Sequence, residues 1–158
     1  MMFARCHGTR DIAEVYRRLG FLTVSCALDR VSLVASPKLG AVVIPPESGP
    51  GIRDRLLADS RCRSAPILSY ARPGREWVFV VGPSWGRGFA EPTLSALEAH
   101  GVRVLVAGQR IWLPMSDNRV GWYWITPPVD AESLPYRTTV IATVRDHLED
   151  LRTQTAGA

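Results

Sequence analysis

The segment Gly82-Pro83-Ser84-Trp85-Gly86 fits the pattern G-x-S-x-G and follows the apolar run Trp77 to Val81. On a sharp strand-to-helix turn, that pattern raises a serine hydroxyl for attack on a carbonyl carbon. The chemistry needs a base and a carboxylate to orient it. His147 would be the base and Asp117 or Asp130 the orienter, in the chain order Ser, Asp, His. Against this, Gly86, Arg87 and Gly88 delay the helix that should begin at the serine, and no HGGG-like oxyanion segment precedes it. His147 also falls on an apolar helical stripe. The plain reading is a glycine-rich surface turn. Read through Gly88, the same loop would cradle phosphate with backbone N–H groups, helped by Arg87. No Lys-Ser/Thr follows the glycines and the spacing misses the dinucleotide fingerprint, so neither standard nucleotide motif is present.

Arginine and aromatic residues form a second constellation. Lys38 is the only lysine, so 18 of the 19 basic residues are arginine, a usage that resembles a high-GC genome. Arg61, Arg63, Arg72, Arg75 and Arg87 stand against the single acid Glu76 between positions 61 and 87, a balance of +4 that equals the net charge of the chain. Residues 130 to 150 carry −3, so charge is polarised along the sequence. Trp112, Trp122, Tyr123 and Trp124 cluster on two neighbouring strand-like runs, with Trp77 and Phe79 on another. Alternation along a strand puts Trp122 and Trp124 on one face and Tyr123 on the other. An open face of this kind bordered by arginines would stack the bases of DNA or RNA. Tryptophans on strands also serve as core, and an exposed set equally suits a protein partner or a homodimer.

Metal chemistry has little to stand on. Cys6, Cys26 and Cys62 are spaced by 20 and 36 residues, which matches no zinc pattern, and their odd number argues for free thiols. Asp130 with Glu132 and Glu149 with Asp150 read as solvated positions rather than a strand-borne carboxylate pair. No metal site and no cofactor are expected.

The elements that must position these residues alternate irregularly. A helix is expected from about Arg10 to Leu19, capped by Thr9 and stopped by Gly20. Strand-like runs follow at Phe21–Ala27, Val31–Ser36 and Ala41–Ile44, suggesting a meander. A short helix carries Ile52, Leu56 and Leu57, and Arg72-Pro73-Gly74-Arg75 turns a hairpin between Ile67–Ala71 and Trp77–Val81. Leu94 and Leu97 mark a third helix ending at His100-Gly101. Strands at 102–107, 110–113 and 121–126 precede a last helix from about Tyr136 to Leu151, striped by Val140, Ile141, Val144, His147, Leu148 and Leu151. Hairpins outnumber crossovers, which predicts an α+β fold: a mixed, mainly antiparallel sheet with about four helices. At 158 residues, 46% hydrophobic and 22% charged, the chain has room for one core, placed at 1–152, with a flexible tail at 153–158.

Lys38, Glu47 and Arg75 interrupt the most apolar stretches, so no membrane span is expected. The start carries Arg5, His7 and Arg10 without an apolar core, which is unlike a secretory signal. The expected compartment is the cytoplasm.

One resemblance emerges from the second half of the chain. Residues Ser69 to Val81, then Leu113-Pro114-Met115-Ser116, then Gly121-Trp122-Tyr123-Trp124-Ile125 with Pro127-Pro128, and the closing Val140 to Arg145 helix resemble short actinobacterial proteins akin to the bifunctional DNA primase/polymerase domain. The likeness covers about the last 120 residues, counted from Gly40. It implies an α+β module that handles nucleotide, template and divalent metal. That family's chemistry uses an acidic pair on a strand and a later histidine-containing motif. Here no Asp-x-Asp or Asp-x-Glu lies in a strand run, and Trp77 and Phe79 stand where the histidine motif would be sought. The resemblance therefore implies a chain without that catalysis.

The reading that follows is a non-catalytic binding domain contacting DNA or RNA through Arg61, Arg63, Arg72, Arg75 and Arg87, with Trp122 and Trp124 as the stacking surface. The alternatives are a protein-interaction or homodimerisation module, and a small serine hydrolase using Ser84, Asp117 and His147.

Overall fold

The run Gly40–Ile44 is buried at every position. An antiparallel strand reaches that state only when both faces of its sheet are covered. A computed structural model describes residues 1–62, 64–86 and 88–158; Arg63 and Arg87 lie outside the described residues. The elements run α1 (Thr9–Arg18), β1 (Val24–Ala27), β2 (Arg30–Val34), β3 (Gly40–Ile44), α2 (Gly49–Ala58), β4 (Ile67–Tyr70), β5 (Trp77–Val81), α3 (Glu91–Glu98), β6 (Arg103–Leu105), β7 (Arg110–Trp112), β8 (Trp122–Thr126) and α4 (Arg137–Ala156).

The strands form two antiparallel sheets, one of five strands in the order β6-β3-β5-β4-β8 and one of three in the order β1-β2-β7. The fold is α+β in a single domain. Alternate residues of the large sheet feed separate cores. Ala41, Val43, Leu68, Val78 and Val80 face α1 and the small sheet, meeting Tyr16, Phe21, Leu33 and Ile111. Val42, Ile44, Ile67, Phe79 and Val81 face the other helices, meeting Ile52, Leu56, Leu97 and Val140. Layers thus stack as small sheet with α1, large sheet, then α2, α3 and α4.

Tyr16 ties the first core together. It is fully buried, its hydroxyl donates to the Pro114 carbonyl at 2.6 Å, and it accepts from Trp124 Nε1 at 2.9 Å. Burial pushes that hydroxyl's pKa far up, so it remains a donor.

Several local expectations are corrected. Thr9 does not cap α1: Gly8 takes the N-cap position, and Asp11 instead accepts the His7 N–H at 2.8 Å. The runs at 24–27, 30–34 and 40–44 do not form a three-strand meander. β2 pairs with β1 and β7, whereas β3 pairs with β5 and β6 in the other sheet. Within the expected α+β class the strands divide between two sheets, every pairing among the described residues antiparallel. α4 runs on past its expected end near Leu151 to Ala156, where the Thr153 and Thr155 hydroxyls bond back to the Glu149 and Leu151 carbonyls at 3.0 and 2.9 Å. No helix among the described residues is long and apolar enough to cross a membrane.

The β1–β2 hairpin turns on Leu28 and Asp29, whose φ angles of 52° and 57° both fall in the left-handed region. Two positive φ values are what a type I′ turn demands, and Asn-Gly satisfies them with least strain. Leu28 is 93% exposed there, so its side chain gains little from burial to offset the strain. The double variant Leu28→Asn/Asp29→Gly is expected to gain about 1 kcal/mol, read as a Tm rise of roughly 3 °C in thermal unfolding.

Candidate functional site

The turn Arg72-Pro73-Gly74-Arg75 closes the β4–β5 hairpin and brings two guanidiniums back onto the ring that ends β4. Arg72 Cζ lies 5.5 Å and Arg75 Cζ 5.4 Å from the Tyr70 ring centroid. Tyr70 in turn meets Trp122 of the neighbouring β8 edge-on, with centroids 5.1 Å apart. The register explains the pair, since Tyr70 and Trp122 are direct cross-strand partners.

The small sheet supplies the opposite wall. Arg30 Cζ sits 5.8 Å from the Trp112 ring. On β7, Arg110 Nη1 donates to the fully buried Ser32 hydroxyl at 2.9 Å, which fixes the arginine along the sheet. Arg103 of β6 reaches Glu76 at 3.2 Å. Two adjoining cavities of about 180 Å³ each open in the angle between the sheets, and Tyr70, Trp112 and Trp122 line both. Arg75, Arg103 and Arg110 border one cavity and Arg30 the other. All three rings are half-buried, whereas Arg30, Arg72, Arg75, Arg103 and Arg110 are exposed. Glu76 is the one acid in the linings of these cavities.

This seam unites only part of the expected site. Arg75 and Trp122 line it, and Arg72 reaches it only through the Tyr70 ring. Arg61 does neither: at the far end of the β4–β5 pair it chelates Asp59 through Nε and Nη2 at 3.0 and 2.8 Å, holding that carboxyl down at about 2. Arg63 and Arg87 lie outside the described residues. Trp124 goes to the core, its Nε1 spent on Tyr16. The bulge at the β4–β8 pairing between Ile67 and Leu68 leaves Trp122 and Trp124 on one face, but only Trp122 reaches the seam. Trp112, expected in the aromatic cluster, joins Trp122 there, whereas Tyr70, Arg30, Arg103 and Arg110 are additions that the sequence reading does not contain. The alternation in Arg110-Ile111-Trp112, with Ile111 in the core, is the signal that would have placed Arg110 and Trp112 together on the other face.

The residues considered for serine chemistry are each engaged elsewhere. Ser84 is exposed on a loop pinned to the start of α4, where Arg137 N–H donates to the Pro83 carbonyl at 3.1 Å and Trp85 N–H to the Thr138 hydroxyl at 3.0 Å. With the Gly82 N–H given to the Pro135 carbonyl at 2.9 Å, two of the loop amides that would cradle phosphate are already used. α3 begins at Glu91, so no helix starts at the serine. Asp117 accepts from the Met2 and Phe3 amides at 2.8 and 3.0 Å, and Asp130 from both Ser133 donors at 2.7 Å. His147 packs on Gly51 of α2. Among the described residues no hydrogen bond joins Ser84, His147 and either carboxylate.

His147 has a different consequence. Burial, reinforced by the Arg55 charge, lowers its pKa below the usual 6.5. The unfolded chain then takes up a proton more readily than the folded one, so stability falls as pH drops through and below 6.5. The Tm measured from pH 8 to pH 5 should decline, and His147→Gln should flatten that decline.

Cys6, Cys26 and Cys62 are free thiols, and burial pushes the Cys62 thiol up. Among the described residues no three His, Cys, Asp or Glu side chains gather into a metal-holding group.

Comparison of the chain with protein-family models, with curated proteins and with solved structures gives no match.

Proposed function

We propose that the chain is a non-catalytic binding protein whose seam between the two sheets takes nucleic acid. The observation that carries this reading is the placement of Arg30, Arg72 and Arg75. Each lies on an aromatic ring, and none has a carboxylate partner among the described residues. A guanidinium over a ring is worth about 0.5–1 kcal/mol at an exposed site. A bidentate contact to phosphate is stronger. An incoming phosphate therefore draws the guanidinium off the ring, and the ring face is uncovered in the same step. Arginine serves this double role better than lysine, whose ammonium does not form the planar fork.

Intrinsic fluorescence tests the reading directly, since two of the five tryptophans, Trp112 and Trp122, line the seam. Titration with short DNA and RNA oligonucleotides should give saturable quenching that weakens steeply as salt rises. Silence toward both at low salt would remove the proposal.

A second reading rests on another surface. Trp85 is 71% exposed and lies 5.4 Å from the Tyr136 ring, beside a groove of about 850 Å³ that Leu134 and Pro135 also line. Exposed aromatic pairs of this kind serve protein partners or a second copy of the chain. A molar mass that rises with concentration in light scattering, and no longer does so in Trp85→Ser, would favour it.

A further inference from the structure

The seam differs from a flat basic surface in two respects. Its rings are recessed in the angle between two sheets, and its arginines stand at the rim. A surface built only to neutralise phosphates needs the arginines and gains nothing from half-buried tryptophans behind them. A duplex, conversely, keeps its base faces stacked inside and offers a protein only phosphates and base edges. The rings of Tyr70, Trp112 and Trp122 can be reached by a base only after it has left its stack.

We propose that the ligand is a single strand, and that one unstacked base enters between Trp112 of the small sheet and the Tyr70–Trp122 pair of the large one. This rests on the nucleic-acid reading and specifies its ligand. The two cavities share all three rings but are bordered by different arginines, Arg30 on one side and Arg75, Arg103 and Arg110 on the other. Phosphates on both sides of the inserted base therefore meet cations, which a strand supplies and a free nucleotide does not. β7 is the edge strand of its sheet, and Arg110–Trp112 line the cavity with an edge that no other strand among the described residues pairs. Its backbone groups are placed to hydrogen-bond the edge of the entering base. Because ring stacking accepts every base, sequence preference should be slight.

Four ligands on the wild-type protein, followed by fluorescence anisotropy and competition at fixed salt, test the inference. They are a short single strand, the same strand in a duplex, the same strand with abasic sugars throughout, and a nucleoside monophosphate. The intact single strand should bind roughly tenfold or more tighter than the abasic strand, and tighter than the duplex. The monophosphate should compete only at far higher concentration. A Trp112→Leu variant should lose the difference between intact and abasic strands while keeping the salt dependence. If single, duplex and abasic ligands bind alike, base entry is wrong and phosphate binding stands. If the monophosphate competes as well as the strand, the ligand is a free nucleotide and the strand assignment falls. If none of the four binds, the nucleic-acid reading fails with it.

Discussion

Replacing Arg72 and Arg75 together by alanine is expected to weaken binding of a short oligonucleotide by about a hundredfold at low salt. Each charge-assisted hydrogen bond to phosphate that the variant cannot make costs about 1.5 kcal/mol, the low end of the range because both side chains are exposed. The dependence on salt separates this from general damage. On a single strand each phosphate neutralised releases about 0.7 counterion, so the slope of log K against log salt should become shallower by about 1.4. Stability should change little, since the hairpin tip around Arg72 and Arg75 is exposed and touches Tyr70 only from outside. Arg61→Ala is the matched control. It removes a positive charge of the same expected basic stretch, but one already committed to Asp59 at the other end of the hairpin, and it should leave affinity nearly unchanged. Anisotropy titrations at four or five salt concentrations measure both quantities.

Tyr16→Phe is expected to cost about 2 kcal/mol of stability without touching the seam. The substitution removes one oxygen and leaves two polar groups without a partner, the Pro114 carbonyl and Trp124 Nε1–H. The site is closed, so no cavity collapse repays the loss, although half-buried Trp124 can regain part of its bond from water. In urea the midpoint should fall with the slope unchanged, and thermal unfolding should come roughly 5 °C earlier. Affinity for nucleic acid should be retained in the folded protein, which distinguishes this core network from the arginines.

The two substitutions divide the molecule along the same line that divides what the sequence reveals from what it conceals. Local signals were legible. Trp77–Val81 forms the strand expected residue for residue, Arg72-Pro73-Gly74-Arg75 makes the hairpin, and the apolar spacing of Ile12 and Tyr16, or of Val140, Ile141 and Val144, marks the buried helix faces. Pairings between distant segments were not. Nothing near Arg110 announces that it will lie beside Ser32, 78 residues earlier, and so nothing announces that Trp112 will face Trp122 across two sheets. The candidate site suffers most, because it is assembled from five separate strands and the β4–β5 turn. Proximity in sequence also misled at Arg61, where a carboxylate two residues away takes the charge that the basic stretch would offer to a ligand. Trp124 shows the same limit: alternation fixes its face, but only the packing of α1 decides that its face is covered.

Photocrosslinking tests the central claim most directly, because it reports where the ligand lies. A short single strand carrying 5-bromouracil, irradiated on the protein and digested for mass spectrometry, should attach to peptides holding Tyr70, Trp112 or Trp122. Loss of those adducts in Arg72→Ala/Arg75→Ala should accompany the loss of affinity. Adducts confined to Trp85 and Tyr136, or no adduct under conditions where the strand is bound, would contradict the placement of nucleic acid in the seam between the sheets.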